Sequence, residues 1–218
     1  MRTRTTFDQA LSELQQDILR MGFYVEEAIS KAVESLIRQD IELARSVIDG
    51  DALIDIQELQ IEDKCMKLIA TQSPMAKDLR RIAAGLMIII DLERIADLAC
   101  DIARSASRLC DQPLFKPLID IPRMAELAQK MVKEALDAYV REDAQLAMVM
   151  AAEDELMDGL HNQVLRELLL CMMVDPAITN QATALLFVNR HLERIADHAT
   201  NIGERVVYLV TGERKELN

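Results

Sequence analysis

The chain has 218 residues, of which half are apolar, and it contains no tryptophan and only six glycines and five prolines. Its 37 acidic and 25 basic residues give a formal net charge of −12. This excess argues against nucleic acid as a partner, because binding to phosphate groups requires a basic face. Strong helix formers with few helix breakers predict an all-α protein.

The sequence carries no sign of a targeting or membrane segment. Its N-terminal MRTRTTFDQALSEL lacks an apolar stretch, so we expect no signal peptide. The longest charge-free apolar runs, LMIII (86–90) and LLLCMMV (168–174), are far shorter than the roughly 20 residues that span a bilayer. We expect a cytoplasmic protein, in which the four cysteines stay reduced because none forms a CxxC pair. They are Cys65, Cys100, Cys110 and Cys171.

Three helices are predicted in the first hundred residues. The first spans about residues 8–38. Asp40 is the predicted N-cap of a second helix, which ends near residue 71. Ser73–Pro74 has the pattern of an N-cap followed by proline, which predicts the start of a third helix reaching about residue 109.

The same signals recur in the same order about one hundred residues later. RQDIEL (38–43) aligns with REDAQL (141–146), and DALID (51–55) aligns with DELMD (154–158). The hexapeptide LERIAD occurs twice, from residue 92 and from residue 192. The chain is therefore predicted to be an internal duplication.

The second copy repeats the helix starts of the first. Pro122, Asp143 and Asp175–Pro176 are its predicted start signals. The segment CDQPLFKPLIDIP (110–122), which holds three of the five prolines, is predicted to join the copies. Long helices with short turns pack as antiparallel neighbours. We therefore predict two tandem three-helix bundles, residues 1–112 and residues 113–218.

Acidic residues of the first copy form one stripe on each of two predicted helices. At 100° per residue, the members of a stripe fall within about 80° of one another. The stripe on the second helix comprises Asp51, Asp55, Glu58 and Glu62. The stripe on the third helix comprises Glu93, Asp97 and Asp101. Leu79, Ile82, Leu86 and Ile90 lie on the same side of the third helix, so the acids are expected to continue an apolar seam.

The second copy carries a less acidic version of this pattern. One predicted helix has Asp154, Asp158 and His161, and the next has Glu193, Asp197, Asn201 and Glu204. Leu165 and Asn201 stand where the first copy has Glu62 and Asp101. His191 and His198 point away from Glu193 and are expected to pack rather than to bind.

Antiparallel arms bring the two stripes of each copy to similar heights, so the carboxylates should face each other. Crowded carboxylates repel and raise one another's pKa values, and a bound cation removes this repulsion. Carboxylate oxygens are the ligands that hard cations prefer, which predicts one metal site in each copy.

Two other interpretations are open. The acids can be a solvated face, neutralised in part by Arg94 and Arg104, on a metal-free helical scaffold. A di-metal enzyme requires Glu-x-x-His on each of two helices, whereas the chain has only the loose relative Asp158-x-x-His161. No nucleotide-binding loop and no nucleophile–base pair is visible in the sequence, so we predict no catalysis.

The duplicated LERIAD, preceded by DxxxD and by SP or DP, resembles the PhoU family. The resemblance covers nearly the whole chain, including VVYLVTGE near its end. It departs from the family pattern at Ala96 and Ala196, where glycine is usual, and at Leu98, where histidine is frequent. The last departure weakens any ligand role for His198.

The resemblance implies a fold and a function. The fold is two three-helix bundles related by a pseudo-two-fold axis, whose acidic motifs bind iron, zinc, manganese or magnesium, also in multinuclear form. The motifs fall on Glu93 and Asp97, on Glu193 and Asp197, and on the two DxxxD segments. The implied function is to restrain phosphate uptake and the phosphate-starvation response. The implied partners are the ATPase subunit of the phosphate transporter and a membrane sensor histidine kinase, and a homodimer is left open.

Overall fold

The computed structural model of the protein describes residues 2–217, with side chains from residue 6 onward. Seven α-helices and one short 3₁₀ turn, Pro176–Ile178, make up the regular structure of these residues. The helices are α1 Arg2–Arg38, α2 Ile41–Gln72, α3 Ala76–Leu109, α4 Asp120–Arg141, α5 Ala144–Ala151, α6 Asp154–Val174 and α7 Thr179–Thr211. No helix among them is both long enough and apolar enough to cross a membrane.

The helices form two similar halves that share one core. Helices α1, α2 and α3 pack together in the first half, and α4, α5, α6 and α7 pack together in the second. Helix α3 also packs along α7, and α1 contacts α4, so the apolar core continues from one half into the other. The predicted all-α, internally duplicated architecture is confirmed.

Equivalent residues of α3 and α7 form the centre of this core. Residues one hundred positions apart are buried on both helices, as the sequence duplication requires. They include Ile88, Leu92 and Ile95 on α3 and Val188, Leu192 and Ile195 on α7. The motif LERIAD thus places its leucine and isoleucine in the buried core of each half.

Three of the predicted starts are confirmed by their capping bonds. The carboxylate of Asp40 accepts hydrogen bonds of 3.0 Å from the backbone N–H groups of Glu42 and Leu43. Asp143 caps α5 in the same manner. The carboxylate of Asp175 accepts a hydrogen bond of 3.0 Å from the N–H of Ala177 and begins the turn Pro176–Ile178 that leads into α7. Each cap satisfies N–H groups that have no partner within the helix.

The prediction that Ser73 is an N-cap is wrong. Ser73 lies at the end of α2 in the left-handed conformation, with φ 45°, and α3 begins only at Ala76. Proline disfavours the helical conformation in the residue before it, so Pro74 ends α2 instead of starting α3. The N-cap of α3 is Met75, which makes no side-chain capping bond.

The second half departs from the predicted three helices, because its middle helix is broken into α5 and α6. At the break, the N–H of Glu153 bonds to the carbonyl of Met150, three residues earlier. The carboxylate of Glu153 pairs with Lys130 on α4. The corresponding stretch of α2 is continuous.

Two glutamines hold the segment between the halves. The side-chain amide of Gln39 donates to the carbonyls of Leu109 and Gln112, at 2.8 and 2.6 Å. Gln181 accepts from the N–H of Phe115 and donates to the carbonyl of Pro113, both at 3.0 Å. Backbone groups of the linker are therefore satisfied by one side chain from each half.

All four cysteines are free, as predicted. Burial raises the pKa of Cys65 and of Cys100 to about 12, so neither thiol ionises near neutral pH.

Gly22 marks a close approach of α1 to α4. A Cβ atom at this position would lie 2.2 Å from Cδ1 of Leu136, which is itself buried. We expect Gly22→Ala to lower the free energy of unfolding by about 1–3 kcal/mol, because the packed core cannot yield without strain. At Gly50, where a Cβ meets nothing within 4 Å, alanine should instead stabilise the helix by about 0.5–1 kcal/mol. Urea denaturation of both variants measures the difference, and equal effects would contradict the packing described.

Candidate metal centre

The acidic stripes of the first copy face each other across the groove between α2 and α3. Besides burial, the charge of Asp97 on α3 raises the pKa of Asp51 on α2. The charges of Asp55 and Glu58 on α2 also raise the pKa of Glu93 on α3. Glu62 extends the set beyond Glu58. Six carboxylates of the predicted seven are thus electrostatically coupled. We call Asp51, Asp55, Glu58, Glu62, Glu93 and Asp97 the first acid set.

Burial and mutual repulsion both disfavour ionisation within the first acid set. Partial burial is the main cause that raises the pKa values of Asp51, Glu58 and Glu93. Neighbouring carboxylates raise these pKa values further, and in Asp51 a hydrogen bond from Cys100 acts in the opposite direction. One carboxylate oxygen of Asp51 is buried without any hydrogen-bond partner.

One arginine pairs directly with members of the first acid set. Arg94 lies 3.4 Å from Glu93 and 3.1 Å from Asp97, and it lowers the pKa values of Glu58 and Glu93 against the effects of burial and like charges. Arg104, the second predicted neutralising residue, pairs instead with Asp101 at 2.6 Å and opposes the rise in the pKa of Asp51. The net charge of the set stays strongly negative.

The acids do not continue a buried apolar seam, which corrects the sequence-based expectation. Ile82 is buried, but Leu79 and Ile90 are 42% and 46% exposed. Helix α3 packs against α1, α2 and α7, and its buried face includes Ile88, Leu92 and Ile95. The first acid set therefore lies at the half-exposed margin of the α2–α3 contact, where a solvated ion can reach it.

Asp101 lies apart from the first acid set and faces α7. Its charge acts on His191, whose pKa is lowered mainly by burial. The symmetry-related Asn201 makes the equivalent contact, donating to Asp91 at 3.4 Å. The two residues thus belong to polar clusters between α3 and α7.

Asp91 is a polar residue that the sequence analysis missed. Its buried carboxylate accepts from Asn201 and lies 2.9 Å from Nδ1 of His198. His198 therefore links α7 to α3 and so joins the two halves. It points away from Glu193, as its position on the helix predicted. The sequence does mark this position, because the residue directly before LERIAD is Asp91 in the first copy and His191 in the second.

The acids of the second copy also meet across two helices. Burial is the main cause that raises the pKa of Asp197 on α7, and the charges of Glu193 and Asp158 raise it further. One carboxylate oxygen of Glu193 is buried without a hydrogen-bond partner. Asp158, Glu193 and Asp197 therefore form a second acid set across α6 and α7.

His161 lies on the same side of α6 as Asp158 and is bonded to α7. Its backbone carbonyl accepts a hydrogen bond of 3.0 Å from Asn189, and its ring Nδ1 is buried without a partner. Asn189 is fully buried, its side-chain oxygen has no partner, and it lies one turn before Glu193. Asn189 was not among the predicted site residues, although the change from Ile89 in the first copy marks it in the sequence.

The two remaining predicted residues of the second copy have different environments. Glu204 accepts a hydrogen bond of 3.1 Å from the N–H of Leu217 and so holds the C-terminal tail against α7. Asp154 is the first residue of α6, directly after the break between α5 and α6. Neither appears among the charges that act on Asp197.

The donor atoms of both sets suit a metal ion for two reasons: their element types are those that metals bind, and several of them lack a hydrogen-bond partner. Oxygen ligands suit magnesium and manganese, and an imidazole nitrogen suits zinc or iron. Buried donor atoms of Asp51, Glu193 and His161 have no hydrogen bond, which a cation would satisfy. Within residues 2–217, however, no three Asp, Glu, His or Cys side chains are already gathered as a metal site. Ligation therefore requires rotation of side chains.

Comparison with known proteins identifies the family. The PhoU domain matches this chain twice, over residues 18–106 and 121–206. The phosphate-specific transport system accessory protein PhoU homolog of Clostridium acetobutylicum is 39% identical over 217 residues, which is 99% of each chain.

Two crystal structures have the same architecture. PhoU from Pseudomonas aeruginosa is 39% identical and superposes with a TM-score of 0.91, covering 95% of this chain and 100% of that one. The phosphate transport system regulatory protein PhoU from Streptococcus pneumoniae is 34% identical, with a TM-score of 0.90 over 97% of this chain and 100% of that one. Both copies of the repeat and nearly the full length are matched, and the chain therefore belongs to the PhoU domain family.

Proposed function

We propose that this protein is a metal-binding cytoplasmic regulator of a phosphate-specific transport system, which restrains phosphate uptake and the phosphate-starvation response. The names of the relatives, an accessory and a regulatory protein of phosphate transport, support this role. The same names support a non-catalytic function.

The observation that carries the metal-binding part is the pair of facing acid sets. In each, a buried carboxylate oxygen lacks a partner, on Asp51 and on Glu193. The first acid set would hold magnesium, manganese or iron through oxygen atoms. The second would hold iron or zinc through Asp158, Glu193, Asp197 and His161. When bound, the metal supplies positive charge and coordination positions to which phosphate or a partner carboxylate can bind.

Exposed apolar side chains beside the first acid set support a docking role. Leu53, Ile56 and Leu59 are exposed along α2. Neighbouring apolar residues on an exposed face are typical of interaction surfaces. The partners we propose are the transporter's ATPase subunit and a membrane sensor histidine kinase, and we also propose a homodimer.

A metal-free scaffold is the second candidate function, favoured by the ion pairs of Arg94 with Glu93 and Asp97. Elemental analysis of protein purified without an affinity tag separates the two candidates. Stoichiometric metal supports the first proposal, whereas protein that stays metal-free after incubation with iron, zinc, manganese and magnesium supports the scaffold.

The effect of burial, and of repulsion by Glu62 and Asp55, on Glu58 should be measurable in metal-free protein. Because the pKa of Glu58 is raised in the folded chain, the folded state binds a proton more readily than the unfolded state. Stability therefore falls as pH rises from the ordinary glutamate value of 4.5 through the raised pKa. Glu58→Gln removes this loss, so we expect it to stabilise the metal-free fold at neutral pH by about 0.5 kcal/mol.

Thermal unfolding in chelator at neutral and acid pH tests this prediction. The gain should disappear at about pH 3, where Glu58 is protonated in both states. Asp101→Asn is the matched control, because Asp101 is paired with Arg104 at 2.6 Å and should give no gain. A destabilising Glu58→Gln at neutral pH would contradict the repulsion.

Metal should stabilise the fold and should occupy two kinds of site. An ion that binds only the native state adds about 2.7 kcal/mol at a hundredfold excess over Kd. Chelation at neutral pH should therefore lower the melting temperature, and the effect should vanish at acid pH as the ligands take up protons. Calorimetric titration with one metal should resolve two affinities, since His161 contributes to one site only. A single affinity would disprove the difference between the sites.

The acid sets should be needed for binding and regulation but not for folding. The double variant Asp97→Ala, Asp197→Ala keeps the buried core of α3 and α7, so we expect native helicity by circular dichroism. It should lose metal and lose phosphate-dependent binding to the ATPase subunit or the kinase. Asp63→Ala is the control, because Asp63 pairs with Lys67 on α2 outside the first acid set. A folded, metal-free double variant with unchanged partner binding would exclude this role for the sites.

A further inference from the structure

A basic cavity lies beside the C-terminal end of α7, farther along that helix than the second acid set. It has a volume of about 650 Å³ and is formed by α3, α7 and the C-terminal tail. Ala83, Ala84 and Met87 of α3 form one wall, and Arg205 and Tyr208 of α7 form another. Arg214 and Lys215 of the tail line its third side.

The three cations of this cavity make no ion pair with any carboxylate in the described part of the chain. Nε of Arg205 is buried without an acceptor. The guanidinium of Arg214 lies 5.9 Å from the ring centre of Tyr208, and the ammonium of Lys215 lies 3.7 Å from the sulfur of Met148. Arg205 is partly buried, whereas Arg214 and Lys215 are exposed.

The two acidic residues of the cavity leave a formal net charge of +1 against its three cations, and neither forms an ion pair with them. Glu204 and Glu216 both line it, but Glu204 is engaged with the N–H of Leu217 at 3.1 Å. Gly212, with φ 79°, ends α7 and turns the tail back toward this bond. A further arginine, Arg80, approaches Gly212, and its Nε is also buried without an acceptor.

The duplication provides an internal comparison for this cavity. Its counterpart, with a volume of about 230 Å³, is lined by Thr183, Ala184 and Phe187, which correspond to Ala83, Ala84 and Met87. Arg108 in the counterpart corresponds to Tyr208. Ser105 of the first half corresponds to Arg205 of the basic cavity, and Asn180 of the counterpart corresponds to Arg80, which lies near Gly212. The same fold is thus built without this group of cations, so packing alone does not require them.

We propose that this cavity binds a small anion that carries a phosphate group. The planar fork of a guanidinium matches the oxygens of a tetrahedral oxyanion, and a buried Nε without an acceptor is the donor that such a ligand would satisfy. The space exceeds that of one phosphate, and Met87 and Tyr208 offer apolar contact to an organic group. The inference goes beyond the proposed function and does not depend on the acid sets.

Isothermal titration calorimetry on chelator-treated protein at low ionic strength tests the proposal. The probes are inorganic phosphate and AMP, which distinguish the free ion from a phosphate ester, and a short poly-glutamate peptide tests a peptide ligand. We expect saturable binding of at least one phosphate probe, weakened by added salt. Arg205→Gln and Arg214→Gln should each weaken it by about tenfold or more, because charge-assisted hydrogen bonds are lost. Arg108→Gln, in the counterpart cavity, should leave it unchanged.

Nuclear magnetic resonance on the unmodified chain keeps the test valid if a variant fails to fold. Shifts induced by the binding phosphate probe should cluster at Ala83, Ala84 and the tail. The proposal is overturned if neither probe saturates, if only poly-glutamate binds, if Arg108→Gln weakens binding as much as Arg205→Gln, or if the shifts map to α2 and α6. Because metal is absent throughout, these outcomes do not bear on the acid sets.

Discussion

The packing of α3 against α7 is the contact on which the rest of the structure depends. Across this contact Asp91 of α3 meets His198 and Asn201 of α7, and the charge of Asp101 acts on His191. The contact also fixes the rotation of each helix, so that Glu93 and Glu193 are turned toward α2 and α6. Since the apolar and the acidic residues of LERIAD lie on different sides of one helix, a single repeated motif supplies both buried core residues and acids in each half.

The acid sets work against the stability that this core provides. Carboxylates at the half-exposed margin of α2 and α3 repel one another, and burial adds to the rise in the pKa values of Asp51, Glu58 and Glu93. A core that extends through both halves can tolerate such a local loss, which would be more serious in a single three-helix bundle. Carboxylates with incomplete hydrogen bonding in a stable scaffold are the arrangement expected of a binding site rather than of a structural feature.

The two halves share a backbone but differ in the chemistry of equivalent positions. Asn189 replaces Ile89 beside the second acid set, and Arg205 replaces Ser105 in the cavity beyond it. Between the halves, Asp91 meets His198 and Asn201, whereas the related His191 lies near Asp101. A duplicated scaffold keeps its packing while polar side chains diverge, so each half can serve a different ligand.

The sequence by itself determined the helical class, the duplication, the caps at Asp40 and Asp143 and the facing of the two acid stripes. These features follow from local chemistry and from the period of the helix, which act over a few residues. Only the tertiary structure decided which way Asp101 and Asn201 turn, where the middle helix of the second half breaks, and that Leu79 and Ile90 are exposed. Each of these depends on a neighbour distant in sequence, such as α7 beside Asp101 or Lys130 beside Glu153, and no local pattern encodes which helix covers a given face.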